Sequence, residues 1–81
     1  MIRVILNRHA LEVAITKRNL SHRELAEKIG FSRSHLSHIM TGRREPSPVM
    51  RRLILDYLRD YTFDDIFIIE DDDGDNRSKT K

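Results

Sequence analysis

The sequence predicts an all-α domain of four to five short helices, and three observations carry that reading. Ser21, Ser32 and Ser47 each stand immediately before a run with helical apolar spacing. Gly30 and Gly42 follow the first two of those runs, where a helix needs a left-handed residue to stop. The 81 residues are 38% hydrophobic and 35% charged, enough apolar material for one small core.

Residues 1–6 alternate Ile2, Val4 and Leu6 on one side, as a short strand or packed extended arm does. Asn7 is suited to cap a helix running to about Arg18, with Leu11, Ala14 and Ile15 inward, and Asn19-Leu20 breaks it. Ser21-His22-Arg23-Glu24 is a capping box, in which serine and glutamate each satisfy a free backbone N–H at a helix start. That second helix carries Leu25, Ala26 and Ile29 on one face and stops at Gly30. Phe31 separates it from Ser32, the cap of a third helix from Arg33 to about Thr41 that buries Leu36, Ile39 and Met40.

Pro46 disfavours helix at Glu45, so Arg43-Arg44-Glu45-Pro46 is a loop. Ser47 with Pro48 is a cap followed by proline at the first helical position. The fourth helix is expected to reach about Asp60 on a stripe of Val49, Leu53, Ile54, Tyr57 and Leu58. Thr62-Phe63-Asp64-Asp65 resembles a further cap with one final turn. Residues 66–69, β-branched and aromatic, can pair with residues 1–6 as a small two-stranded sheet or remain single. No apolar residue follows Glu70. The expected organisation is a domain over 1–69 and a disordered tail, acidic then basic, over 70–81.

The net charge of +2 conceals a strong polarity. Residues 1–59 hold 12 Lys/Arg against 5 Asp/Glu, which is +7, whereas residues 60–76 hold 8 acidic side chains and no basic one. A basic body suits a polyanionic partner. The acidic run is expected to solubilise the tail, or to shield the basic face and lower non-specific DNA affinity. Asp71-Asp72-Asp73-Gly74 resembles a calcium loop, but with Gly74 in sixth place the first and twelfth ligands would be Ile69 and Thr80, so it fails at both ends.

Several classes are set aside. Without cysteine there is no disulfide framework and no thiolate metal site. His35 and His38 lie three apart, yet no nearby carboxylate or cysteine completes a site, so neither metal nor cofactor is expected. His9 and His22 are read as incidental or phosphate-facing rather than catalytic. No phosphate loop, His-Glu-x-x-His or Gly-x-Ser-x-Gly motif appears, which argues against an enzyme. The apolar runs are too short for a membrane span, and the first six residues are too short for a signal peptide, so a cytoplasmic protein is expected.

Two short helices joined by a glycine-initiated turn in a small basic domain describe the helix-turn-helix. The second helix packs across the third so that one face of the third can enter the DNA major groove. Arg33, Ser34, Ser37 and His38 share that outward face, with His35 beside them. Arginine at the helix start can bond guanine O6 and N7 together, and serines permit close approach to base edges.

Leu20-Ser21-His22-Arg23-Glu24-Leu25-Ala26-Glu27-Lys28-Ile29-Gly30-Phe31-Ser32-Arg33-Ser34-His35-Leu36-Ser37-His38-Ile39 resembles the xenobiotic-response-element family, the helix-turn-helix regulators related to phage lambda repressor and Cro. Gly42-Arg43-Arg44-Glu45-Pro46-Ser47 is similar to that family's exit from the recognition helix, and Thr62-Phe63-Asp64-Asp65-Ile66-Phe67 to its fifth helix. The likeness covers about residues 7–67. It implies base reading by Arg33, Ser34, Ser37 and His38, and backbone contacts from His22, Arg23, His35, Thr41, Arg43 and Arg44. The sequence departs from the family pattern at His22, where glutamine is favoured, at Met40, often glutamate, and at Thr41, often asparagine.

The implied function is a transcriptional regulator of phage or mobile-element type that binds double-stranded DNA. A repressor on an inverted-repeat operator is expected, dimerising through this domain because 81 residues leave no room for a second one. A chain cut from something longer, or a monomer that pairs on DNA, is the alternative. The second class is an antitoxin or adaptor on the same fold, docking a protein partner by strand addition through residues 66–73.

Overall fold

The computed structural model describes residues 1–71. In chain order these form β1 (Ile2–Leu6), α1 (Arg8–Lys17), α2 (His22–Ile29), α3 (Arg33–Met40), α4 (Pro48–Tyr57), α5 (Phe63–Ile66) and β2 (Phe67–Asp71). The all-α reading holds, with the small sheet as an addition to a lambda-repressor-like helical body.

The helix boundaries follow from local chemistry. Asn7 Oδ1 accepts the Ala10 N–H at 3.1 Å, Ser32 Oγ that of His35 at 3.0 Å, and Ser47 Oγ that of Met50 at 3.1 Å. At Ser21 the box is reciprocal: its Oγ accepts the Glu24 N–H at 3.1 Å, and Glu24 Oε1 accepts the Ser21 N–H at 2.9 Å. Each cap of this kind is worth about 1 kcal/mol. Gly30 closes α2 in the left-handed region, at φ 82°.

Leu11, Ala14 and Ile15 of α1, Leu25, Ala26 and Ile29 of α2, and Leu36, Ile39 and Met40 of α3 are buried in one cluster. Completely burying one such aliphatic side chain stabilises the fold by roughly 1.5–3 kcal/mol. α4 departs from the sequence expectation in rotation and length. Its inward line is Met50, Ile54 and then Leu58, all at 0% exposure, whereas Val49 is 52% and Leu53 37% exposed. The backbone leaves the helix at Leu58, where ψ is 66°, and not near Asp60. Turning there keeps the Leu58 side chain inside the cluster.

β1 and β2 pair antiparallel, with Leu6 opposite Phe67, Val4 opposite Ile69 and Ile2 opposite Asp71. Leu6 and Phe67 are buried and close the core, while Ile2 and Ile69, on the same face, extend beyond it and are exposed. Ile66 belongs to α5, not to the strand, and is fully buried. β2 runs on through Glu70 and Asp71, where hydropathy alone places tail. Cross-strand charge holds them: Arg3 lies 3.9 Å from Glu70, and the amino terminus 3.6 Å from Asp71. Residues 72–81, which carry most of the expected tail and most of the calcium-loop resemblance, lie outside the described residues.

Candidate nucleic-acid interface

The turn between α2 and α3 is fixed by its backbone. Gly30, left-handed, donates its N–H to the Ala26 and Glu27 carbonyls, and Phe31 N–H reaches the Ala26 oxygen at 2.9 Å. Two orphan carbonyls at the end of α2 are thereby satisfied. Ser32 then starts α3 at once, so the two helices pack through Leu25, Ala26, Ile29, Leu36 and Ile39, all buried.

With Leu36, Ile39 and Met40 inward, the 3.6-residue period leaves Arg33, Ser34, Ser37 and His38 on the opposite face, and all four are exposed. This is the face that the sequence assigns to base reading. His35 sits at its flank and is half-buried, its ring 5.0 Å from that of Phe31 and tilted 47° to it.

The residues assigned to backbone phosphates, apart from His35, fall into two groups. At the start of α2, His22 Nε2 lies 3.2 Å from Glu12 Oε1, and Arg8 Nε donates to the other Glu12 oxygen at 3.2 Å. The Arg8 hydrogen bond, opposed by desolvation and assisted by His22, holds the Glu12 carboxyl below its ordinary value. Arg23, next along, is exposed and pairs with Glu27 at 3.7 Å one turn on.

The second group lies at the end of α3. Thr41 caps the helix, and its hydroxyl donates to the His38 carbonyl at 3.3 Å. Gly42, at φ 83°, lets the chain double back, so that Arg43 and Arg44 N–H both reach the His38 oxygen, at 2.9 and 3.2 Å. Glu45 then anchors the loop to the sheet. Its carboxylate accepts the Val4 N–H at 3.1 Å and lies 3.7 Å from Arg3 Nε, while Pro46 is buried. Arg33, Arg43 and Arg44 are exposed, and among the described residues none of the three makes an ion pair.

Sequence reasoning missed Glu12 and Glu45. The Arg8–Glu12 spacing of four is visible on paper, and its ion pair is ordinary helix-surface chemistry. That Glu12 also reaches His22, ten residues on, is a tertiary fact. Glu45 reaches 41 residues back to β1, and no local pattern announces it.

Two amphipathic helices packed through their buried faces across a glycine turn, the second presenting an exposed face that begins at Arg33, define a DNA-binding helix-turn-helix domain. Residues 11–66 match the model of the helix-turn-helix family of lambda repressor/Cro type, and the chain belongs to that family. The family consists of DNA-binding regulators. No curated protein and no solved structure matches the chain. No helix among the described residues is long and apolar enough to cross a membrane.

Proposed function

We propose that the chain is a sequence-specific transcriptional repressor of the xenobiotic-response-element group. In this reading it is of phage or mobile-element type and acts in the cytoplasm as a homodimer on an inverted-repeat operator. The observation that carries the reading is the exposed face of Arg33, Ser34, Ser37 and His38, backed by Leu36 and Ile39 and flanked by Arg43 and Arg44, which form no ion pair among the described residues.

α3 lies in the major groove, with Arg33 bonding guanine O6 and N7, a pairing worth about 1–3 kcal/mol of discrimination. Ser34 and Ser37 allow the helix to approach base edges, and His38 donates to a purine acceptor or a phosphate. His22, Arg23, His35, Thr41, Arg43 and Arg44 hold the backbone and fix the register. One eight-residue helix reads a single half-site, and a twofold dimer doubles the reading. The exposed apolar side chains Val49 and Leu53 on α4, and Ile2, Ile68 and Ile69 on the sheet, supply surface for a second copy. Occupying a promoter in this way excludes polymerase.

Selection of bound duplexes from a random library at about 0.15 M salt tests the reading. An enriched inverted repeat supports it, and loss of that preference in Arg33→Ala, with non-specific binding retained, assigns the reading face. A second reading, an antitoxin or adaptor that docks a protein through residues 66–73, is favoured by the 46% and 58% exposure of Ile68 and Ile69 on a strand with one neighbour. No enrichment of any duplex would move the assignment there.

A further inference from the structure

We propose that Glu12 makes the contact between His22 and a DNA phosphate proton-dependent, so that operator binding takes up a proton at His22 in each protomer. The inference deepens the DNA-binding reading above and rests on His22 being one of its phosphate contacts.

The argument is one of donors and acceptors. His22 Nε2 faces a Glu12 oxygen at 3.2 Å, and the other Glu12 oxygen is taken by Arg8 Nε at 3.2 Å. The Arg8 hydrogen bond first, and then His22, favour the ionised form of Glu12. An ionised carboxylate only accepts, so Nε2 must carry the hydrogen between them. A neutral imidazole has one N–H, and with Nε2 protonated its Nδ1 presents a lone pair. A phosphate oxygen brought to that lone pair is repelled. Donation to phosphate while Glu12 is held requires a second hydrogen on Nδ1, which is the imidazolium. A glutamine in this place would donate from its amide at every pH; the histidine held by Glu12 donates conditionally.

From α1, Glu12 favours the imidazolium, while Arg8 behind it partly offsets that carboxylate. Within α2, the positive helix start and Arg23 oppose a cation, and Glu24 counters them. Of the charged groups on the helices packed against α2, neither Arg33, His35 and His38 of α3 nor Arg51, Arg52 and Asp56 of α4 forms an ion pair with His22. An arriving phosphate adds a negative charge on the open side of the ring, and the proton follows it.

The test compares affinity for the selected duplex between about pH 6 and pH 8.5 at constant salt, using the full chain, His22→Gln and Glu12→Gln. The affinity of the unaltered protein should fall as pH rises, approaching roughly tenfold per pH unit per protomer more steeply than that of His22→Gln. Glu12→Gln, whose amide can donate to Nε2 and leave the ring hydrogen on Nδ1, should flatten the dependence toward that of His22→Gln. Nitrogen NMR of the His22 ring in the complex gives an independent reading: two protonated ring nitrogens support the proposal, and one overturns it. Equal pH slopes for the unaltered protein and His22→Gln overturn it while leaving DNA binding intact. Failure of all three proteins to bind any duplex overturns the DNA-binding reading, and this proposal with it.

Discussion

The rotation of α4 is open to direct test, because two adjacent residues exchange the roles their sequence suggests. Met50 is completely buried and Val49 is 52% exposed. Met50→Ala removes three heavy atoms from a closed cluster bounded by α2 and leaves a cavity, which in comparable cores costs about 2–5 kcal/mol. Val49→Ala removes two methyl groups that are half in water, for which transfer at roughly 0.8 kcal/mol per group predicts a loss near 0.8 kcal/mol. Alanine's better helix propensity returns up to about 0.7 kcal/mol of that. The expected net change at Val49 is therefore near zero. In a domain this small, each 1 kcal/mol moves Tm by about 4–8 °C, so Met50→Ala should lower it by about 8 °C or more and Val49→Ala by no more than a few degrees. Thermal and urea unfolding followed by circular dichroism measure both, with an unchanged urea slope showing that the same surface unfolds. Equal losses at the two positions, or a larger loss at Val49, would refute the inward line Met50–Ile54–Leu58.

Three further outcomes are expected. Arg43→Ala with Arg44→Ala should weaken all DNA sequences about equally and flatten the dependence of log affinity on log salt by roughly two units, read from titrations at several salt concentrations. Gly30→Ala meets no atom within 4 Å of the added Cβ, so its cost is the left-handed backbone alone, about 1–2 kcal/mol, measured as a lower urea midpoint. Glu24 is held below its ordinary value of 4.5, chiefly by the Ser21 N–H and then by the Ser21 hydroxyl. The folded chain therefore prefers the charged form: the stabilisation is complete above the ordinary glutamate range and disappears as pH falls through the lower, folded-state value. Urea midpoints of the unaltered protein and Glu24→Gln should accordingly converge between about pH 6 and pH 3.

The helix starts were legible because capping is a transaction between residues three apart. Asn7, Ser21, Ser32 and Ser47 satisfy N–H groups within their own first turn, and nothing distant is needed to place them. The same locality made the exposed face of α3 legible: Gly30, Ser32 and the spacing of Leu36, Ile39 and Met40 fix which side of α3 is dry, and the exposure of Arg33, Ser34, Ser37 and His38 follows. Where apolar residues exceed one stripe, that logic loses its grip. α4 carries Val49, Met50, Leu53, Ile54, Leu55 and Tyr57, enough for two overlapping faces about one residue apart, and helical period alone does not choose between them.

Sequence by itself determined the caps, the turn and the amphipathic faces of α2 and α3, and hence the helix-turn-helix, because each depends on contacts within a few residues along the chain. Tertiary structure decided which face of α4 is buried, where α5 gives way to β2, and how Glu45 and Glu12 join distant segments. Val4 meets Glu45 across 41 residues, and Arg3 meets Glu70 through the strand register. Pairings at such separation are selected by how the whole core closes, and their partners are interchangeable on paper with any other carboxylate in the chain.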